Sequence, residues 1–174
     1  TAAALSYGFD KNASNKNLLV FDMGGGTFDV SMLHVEDGMF EVKATAGNSH
    51  LGGEDFDHNM LNYVMQQFKL RKGIDISSND RAKRRLLTAC ERAKRTLSTA
   101  TTVNVEVDAL AEGVDCCVHV TRANFEEMNK AKFNEAMASV VDVLKAIILM
   151  ENDYVKKFIL MKQLHMEHQF KEQF

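Results

Sequence analysis

Two aspartates frame a run of three glycines in the stretch Asp22-Met23-Gly24-Gly25-Gly26-Thr27-Phe28-Asp29. Consecutive glycines allow φ > 0 and bring backbone N–H groups close to another chemical group, and such a turn suits phosphate oxygens. Asp22 and Asp29 place carboxylates at its ends, where they could hold Mg²⁺ directly or through water, and Thr27 adds a hydroxyl. The stretch predicts a strand–turn–strand phosphate clamp. A glycine-rich hairpin without a ligand is the alternative.

A second set of polar side chains falls on one face of a predicted helix. At 100° per residue, Glu91, Lys94 and Ser98 lie within about 60° of one another. A carboxylate, an ammonium and a hydroxyl in one stripe could bind a ribose and the edge of a base. From the residues alone, a solvated face with Glu91 paired to Arg95 is favoured. The same solvated-face interpretation is favoured over a nucleic-acid site for the nearby basic cluster: Arg81, Lys83, Arg84, Arg85 and Arg92.

The clamp requires strands on both sides of the glycines. Apolar residues that recur in strand patterns predict an antiparallel meander, with a continuous apolar run in the first strand that suits burial on both faces. In the second strand Phe28, Val30, Met32 and His34 share a face, and in the third Phe40, Val42 and Ala44 alternate with polar residues. The strands are expected at 17–23, 27–35 and 39–46, with a hairpin turn at Glu36-Asp37-Gly38 and a short helix before them at 1–9.

The stripe requires a helix, and apolar spacing of three and four residues predicts two in succession. The first follows the glycine pair Gly52-Gly53 and ends at Gly73, and Ser77, Ser78, Asn79 and Asp80 offer N-caps for the second, which runs to about Ser98. A strand hairpin around Glu112-Gly113 comes next. A long helix then begins at Thr121 and breaks at 151–153, and residues 154–174 fit neither a strand nor a helix cleanly. The expected apolar stripe of the long helix is Phe125, Met128, Phe133, Met137, Val140, Val141, Leu144 and Ile148.

Composition limits the possible classes. The chain has 174 residues, of which 45% are hydrophobic, enough for one sizeable core or two small lobes. A net charge of −3 gives no general attraction to nucleic acid or to an anionic membrane. The longest apolar runs fall far short of the ~20 residues that span a bilayer, and no secretion leader is recognisable. Three cysteines without metal spacing predict reduced thiols in a cytoplasmic setting, and the spacing of His165 and His168 does not predict a metal site.

Together these segments resemble the nucleotide-binding domain of the seventy-kilodalton heat-shock chaperones, the DnaK-type ATPases. The similarity runs in register from residue 1 to about 150, and the sequence at 88–98 is similar to that of the cytosolic eukaryotic branch of the family. The matching stretches are Thr-Ala-Ala-Ala at 1–4, Phe-Asp-Met-Gly-Gly-Gly-Thr-Phe-Asp-Val at 21–30, Phe-Glu-Val-Lys-Ala-Thr-Ala-Gly at 40–47, His-Leu-Gly-Gly-Glu-Asp-Phe-Asp at 50–57, Thr-Ala-Cys-Glu-Arg-Ala-Lys-Arg-Thr-Leu-Ser at 88–98 and Thr-Arg-Ala-Asn-Phe-Glu-Glu at 121–127.

The resemblance implies an α/β fold: part of an actin-like, ribonuclease H-like ATPase lobe with a mixed sheet and an inserted subdomain. Residues 1–53 would begin the second lobe, 54–120 would form the helical nucleotide-exchange subdomain with its hairpin, and 121–174 would return to the lobe.

The resemblance also implies a stress-response chaperone that binds ATP or ADP with Mg²⁺ and acts on unfolded proteins with J-domain proteins and nucleotide-exchange factors. Asp22 and Asp29 would hold the metal's shell, and Asp29 would also support the attacking water. The other contacts implied are phosphate contacts from Gly24, Gly25, Gly26 and Thr27, a phosphate and sugar contact from Gly53, and adenosine contacts from Glu91, Lys94 and Ser98, with Asp22, Thr27 and Asp29 as the catalytic set.

The chain also departs from the family pattern. Residue 1 is Thr rather than Met, which suggests a piece of a longer chain, and the family's first phosphate loop and its lysine have no counterpart. Residues 158–161 run directly into 162–164, as if about nine residues of a closing Gly-Gly-Ser-x-Arg-Ile-Pro segment were deleted. We therefore expect weak nucleotide contact and little or no hydrolysis. A non-enzymatic remnant acting as an interaction module through 54–120 is the alternative, and an actin-like sugar or metabolite kinase is a third.

Overall fold

The computed structural model describes residues 16–36 and 39–150. The predictions for the helix at 1–9, for Asp37 and Gly38 in the hairpin turn, for the break at 151–153 and for the segment 154–174 lie outside these residues. The described chain divides into two compact units. The first contains 16–36, 39–53 and 133–150, and the second contains 54–132.

Three antiparallel strands form the sheet of the first unit in the order β1-β2-β3, as the apolar pattern predicts. The strands are β1 (Lys16–Met23), β2 (Phe28–Glu36) and β3 (Met39–Asn48). Asp22 lies opposite Asp29, and Glu36 lies opposite Met39 across the two-residue connection. All strand pairings among the described residues are antiparallel, so the parallel pairing that a mixed sheet requires is not found among them.

Burial in this sheet departs from the predicted pattern in each strand. Residues of β1 are half-buried or exposed rather than covered on both faces, because β1 is an edge strand of the described sheet. In β2, Leu33 and Val35 are fully buried on the face opposite Phe28 and Val30, so β2 is covered on both faces instead.

The predicted alternation of β3 is interrupted by a shift of register. Met32 lies opposite Ala44, whereas Leu33 lies opposite Val42, which leaves Lys43 as an extra residue in β3. A bulge of this kind disturbs the alternation of side chains between the two faces. Val42, predicted to share the apolar face with Phe40 and Ala44, is accordingly 47% exposed.

The core of the first unit lies between this sheet and the end of the long helix α3 (Arg122–Met150). Phe28 and Val30 from β2 and Leu51 from the following loop are fully buried. The buried face of α3 differs from the predicted stripe, since Val143 and Ile147 take the place expected of Val141 and Ile148. The helical members of this core are Ala136, Val140, Val143, Leu144 and Ile147.

The second unit contains two helices and a strand hairpin that follow one another as predicted, together with the first turns of α3. The helices are α1 (Gly53–Lys72) and α2 (Asp80–Leu97), and the strands are β4 (Thr102–Ala111) and β5 (Val114–Thr121). Gly73 ends α1 with φ 72°, which suits a glycine after the last turn. Asn79 is the residue that caps α2, because its side chain accepts the Ala82 N–H at 3.0 Å.

Thr121 caps α3 as predicted. Its hydroxyl accepts the Asn124 N–H at 3.0 Å, while the Asn124 side chain accepts the Thr121 N–H at 3.2 Å. This reciprocal pair is the arrangement of a capping box, with asparagine in the third position. It satisfies backbone donors at the point where β5 passes into the helix.

Replacing Glu112 with asparagine should stabilise the β4–β5 hairpin. Glu112 and Gly113 both have positive φ, at 53° and 74°, and they connect Ala111 to Val114. Two-residue hairpin loops with both φ positive favour Asn-Gly, because asparagine tolerates the left-handed region better than glutamate does. We expect Glu112→Asn to raise the free energy of unfolding by about 0.5–1 kcal/mol.

Thermal unfolding followed by circular dichroism measures this gain, which corresponds to roughly 1–4 °C for a chain of this size. Glu112→Val is the matched control, since a β-branched side chain is disfavoured at positive φ and should lower the melting temperature. Equal melting temperatures for the two variants would contradict the assignment of strain to Glu112.

Candidate functional site

The glycine turn joins β1 to β2 and is closed by a backbone hydrogen bond. The Gly24 N–H donates to the Thr27 carbonyl at 2.8 Å. Among the described glycines, positive φ occurs at Gly73 and Gly113, so the turn does not use the left-handed region that its three glycines permit. The predicted strand–turn–strand geometry is present, but neither an unusual φ nor lack of space requires glycine at Gly24 or Gly26, since an added Cβ would lie 3.4 Å from the nearest atom at Gly24 and would meet nothing within 4 Å at Gly26.

Close packing against this turn comes from the glycine pair Gly52-Gly53. The Gly53 N–H donates to the Gly24 carbonyl at 3.0 Å. A Cβ built on the buried Gly52 would lie 2.3 Å from the Gly25 carbonyl oxygen and 2.6 Å from the Gly26 nitrogen. No side chain fits there without moving the backbone. The loop before α1 therefore rests directly against the glycine turn, and the three glycines of the turn pack together with the pair Gly52-Gly53.

Both predicted metal-binding carboxylates lie beside this turn. Asp22 and Asp29 are opposite each other on β1 and β2, so their side chains leave the same face of the sheet about 5 Å apart at Cβ. Both residues are exposed. Like charges directly opposite in a sheet repel, and a cation between them removes that cost.

Gly47 lies opposite Asp29 on β3, so Asp22, Asp29 and Gly47 form a row across the three strands. A Cβ on Gly47 would lie 2.8 Å from Asp29 Oδ1 and 2.5 Å from the Phe28 carbonyl oxygen. The absence of a side chain at Gly47 therefore leaves room for the Asp29 carboxylate. Sequence reasoning did not give Gly47 a role, although its position at the end of a predicted strand was visible.

No three histidine, cysteine, aspartate or glutamate side chains within 16–36 and 39–150 are grouped to hold a metal ion on their own. Mg²⁺ is commonly held by one or two carboxylates together with phosphate oxygens and water. The opposed pair Asp22 and Asp29 has the hard oxygen donors of that arrangement, so the residues present fit a magnesium–phosphate group.

The predicted adenosine stripe belongs to the second unit, where Glu91, Lys94 and Ser98 follow one another along α2 and its C-cap. Glu91 accepts a hydrogen bond from Arg95 at 2.5 Å, which is the pairing expected of an ordinary helix face. Lys94 Nζ lies 2.8 Å from Asp57 Oδ2. The three residues follow the predicted helix and its end, but the two charged side chains, Glu91 and Lys94, are paired with other side chains of the protein.

Arg122, a residue that sequence reasoning missed, binds the backbone on either side of Ser98 and Thr99. The guanidinium of Arg122 donates to the carbonyls of Leu97 and Ala100, both at 3.0 Å. These carbonyls flank the end of α2, where backbone acceptors lack helical partners. Arg122 was visible only as part of the Thr-Arg-Ala-Asn motif, and its partner carbonyls cannot be read from side-chain types.

The described cysteines are all free, with Cys117 exposed and Cys90 and Cys116 buried, as expected for reduced thiols. Burial raises the pKa of Cys90 to about 12, with smaller contributions from the nearby Asp57 carboxylate and from Cys116. The Cys90 thiol therefore stays protonated at neutral pH and contributes to the core. Within the described part of the chain, no helix is both long and apolar enough to cross a lipid bilayer.

The fold defines an α/β protein in which antiparallel strands carry an acidic glycine turn that packs against the start of a helix. A family model described as "Hsp70 protein" matches residues 1–161. The chain belongs to the Hsp70 family, and its mixed α/β structure agrees with the expected part of an actin-like ATPase lobe.

Curated relatives support the same family. The chain is 55% identical over 146 residues to "Heat shock 70 kDa protein 2" of Paracoccidioides lutzii, an alignment that covers 83% of this chain and 22% of that protein. It is 49% identical over 166 residues to "Putative heat shock 70 kDa protein 7" of Homo sapiens, covering 95% of this chain and 45% of that protein. A third relative, 52% identical over 147 residues, is a ribosome-associated molecular chaperone of Zygosaccharomyces rouxii, covering 83% of this chain and 24% of that protein. The chain thus spans less than half the length of these relatives.

Proposed function

We propose that the chain is an ATP- and Mg²⁺-binding portion of an ATP-dependent protein-folding chaperone of the cytoplasm. The family reaction is ATP hydrolysis coupled to the binding of unfolded proteins. Family membership supports the chaperone role, and the name of the Zygosaccharomyces rouxii relative includes the word chaperone. J-domain proteins and nucleotide-exchange factors are the partners proposed, and the exchange factor would bind within 54–120.

The opposition of Asp22 and Asp29 beside the glycine turn carries this proposal. Two carboxylates at one end of a hairpin provide charge for a divalent cation. The exposed glycines of the turn allow phosphate oxygens to approach the backbone without a side chain in the way. Thr27 adds a hydroxyl at the same place, and a Cβ on Gly24 would lie 3.4 Å from its Oγ1. The turn thus combines donors for phosphate with acceptors for a metal.

Each predicted residue has a role in the proposal. Asp22 and Asp29 would hold Mg²⁺ and its water. When bound, the Mg²⁺ ion would neutralise charge on the phosphates of ATP or ADP. The phosphate contacts would come from Gly24, Gly25, Gly26, Thr27 and Gly53, and the adenosine contacts from Glu91, Lys94 and Ser98. Catalysis in this class rests on positioning and charge stabilisation, and Asp29 would orient the attacking water.

Isothermal titration of the purified chain with MgATP and MgADP tests the proposal, together with a phosphate-release assay. We expect weak binding that requires Mg²⁺ and that Asp22→Ala abolishes, and micromolar or tighter binding would support a fully working site. Asp142→Ala is the matched control, because Asp142 is an exposed carboxylate of α3 in the same unit. It should bind nucleotide as the wild-type chain does. An absence of heat at millimolar nucleotide would overturn the proposed ATP site.

The alternative function, an interaction module without ATP turnover, draws support from two observations. Glu91 and Lys94 both have ion-pair partners within the protein, Arg95 and Asp57, and so satisfy their charges without a nucleotide. The second unit is also compact by itself. Under this alternative, a nucleotide-exchange partner would still bind the chain after Asp22→Ala, and no heat of nucleotide binding would be measured.

A further inference from the structure

Asp57 is a buried carboxylate to which sequence analysis assigned no role. It lies on α1 and is 6% exposed, and among the described residues it and Asn129 are the buried polar side chains. Asn129 is well satisfied, because it accepts a hydrogen bond from Asn59 at 3.0 Å and donates to the Phe125 carbonyl at 2.9 Å. Asp57 is satisfied at one oxygen only. Its Oδ1 is buried and has no hydrogen-bond partner within the described part of the chain.

The other oxygen of Asp57 holds Lys94. Asp57 Oδ2 lies 2.8 Å from Lys94 Nζ, and the side chains are 9% and 23% exposed respectively. The contact joins α1 to α2 within the second unit. Lys94 lies on α2 one helical turn after the buried Cys90, whose pKa is raised mainly by burial and to a smaller extent by the Asp57 charge. Asp57 therefore points at the segment of α2 that carries the stripe.

A buried ion pair such as Asp57–Lys94 contributes little to folding stability by itself. Removing a carboxylate from water is costly unless all its acceptor sites are satisfied, and buried ion pairs are often no more stabilising than apolar residues of similar volume. The pair does restrict Lys94, whose four-carbon stem otherwise samples many rotamers. Fixing that stem before a ligand arrives removes an ordering cost from binding.

We propose that Asp57 is a positioning residue that holds the Lys94 ammonium in place for adenosine. This inference rests on the proposed function, because the stripe of Glu91, Lys94 and Ser98 is itself proposed to bind adenosine. Asp57 does not touch the nucleotide in this arrangement. It acts through Lys94, so its effect on affinity exists only while Lys94 is present and only for ligands that carry an adenosine.

The test compares ADP with inorganic pyrophosphate, which shares the phosphates but lacks the adenosine. We expect Asp57→Asn to weaken MgADP binding by about tenfold, a coupling typical of residues in direct contact, and to leave magnesium pyrophosphate binding within twofold. In a Lys94→Gln background the same substitution should change ADP binding by less than twofold. Asp75→Asn is the matched control, because it removes an exposed pair with Lys69 of 2.6 Å in the same unit and should change neither ligand.

Equal weakening of ADP and pyrophosphate, or a tenfold loss that persists in the Lys94→Gln background, would overturn the inference in favour of a merely structural role. Unchanged ADP binding in Asp57→Asn would also overturn it. Circular dichroism checks the fold of each variant. Should Asp57→Asn fail to fold, Asp57→Glu replaces it, since the longer side chain keeps the charge but displaces the oxygen that Lys94 contacts.

A nucleotide-free measurement separates this inference from the proposed function. Carbon-13 relaxation of the Lys94 side chain should show a restricted Cε in the wild-type chain and a mobile one in Asp57→Asn. If Lys94 is restricted by Asp57 but the wild-type chain binds no nucleotide, the proposed function fails and the adenosine role of Asp57 fails with it. If the chain binds ADP but Lys94 is equally mobile in both proteins, the inference alone fails.

Discussion

Gly52→Ala is expected to destabilise the first unit by about 3 kcal/mol, at the upper end of typical overpacking costs. The added Cβ would lie 2.3 Å from the Gly25 carbonyl oxygen and 2.5 Å from the Gly25 carbonyl carbon. These are backbone atoms, so no rotation of a side chain relieves the contact. The glycine turn must move away from the loop that precedes α1, and the hydrogen bond from Gly53 to Gly24 is strained or lost.

Thermal unfolding should register this as a fall in melting temperature of roughly 6–12 °C. Gly26→Ala is the matched control, since a Cβ there meets nothing within 4 Å and the φ of Gly26 is not left-handed. It should leave the melting temperature within about 2 °C, the effect of a surface substitution. If both variants melt alike, the pair Gly52-Gly53 does not pack tightly against the glycine turn.

The contrast between Gly26 and Gly52 marks what the sequence could and could not predict in the candidate site. Glycines together with flanking aspartates predicted a tight turn, and the structure has one. The sequence suggested both a left-handed backbone and a close approach to another group as reasons for the glycines of the turn, whereas the structure requires glycine for close approach at Gly52 and not at Gly26. That approach joins segments more than 20 residues apart, and local chemistry carries no information about which distant backbone arrives there.

The meander illustrates the same limit at the level of the fold. Alternation of apolar residues gave the three strands to within a residue or two, because one face of each strand must be covered. It missed the bulge at Lys43 and the burial of Leu33 and Val35 on the second face. Both depend on what packs against the sheet from elsewhere in the chain, which side-chain periodicity in one strand does not record.

The polar stripe on α2 shows how motif and contact complement each other. Helical periodicity placed Glu91, Lys94 and Ser98 on one face, and family resemblance gave that face a proposed role. Only the structure shows that Lys94 is held by Asp57 across the two helices. An acid in α1 and a lysine in α2 are 37 residues apart, and several other charged pairs in the sequence would have been equally plausible partners.

Phe28→Ala is expected to destabilise the first unit by about 3–5 kcal/mol, the usual cost of removing a buried aromatic ring. Phe28 lies between Thr27 and Asp29, is fully buried and belongs to the core formed with α3. Its ring also contacts Phe21, with centroids 4.5 Å apart, a pairing that adds about 0.5–1.5 kcal/mol beyond area burial. The substitution leaves every polar group of the glycine turn intact.

Hydrogen exchange followed by mass spectrometry measures this effect in the sheet itself. A loss of about 3–5 kcal/mol raises the population of the open sheet by roughly 10²- to 10³-fold or more, and β2 amides that exchange through this opening should lose protection accordingly. Met39→Ala is the matched control, since Met39 is 71% exposed and its truncation should leave β2 exchange unchanged. Because Asp22 and Asp29 depend on this sheet for their opposition, Phe28→Ala should also weaken MgADP binding while retaining every proposed ligand. Wild-type affinity in a chain whose β2 amides exchange freely would mean that the carboxylates act without the hairpin that aligns them.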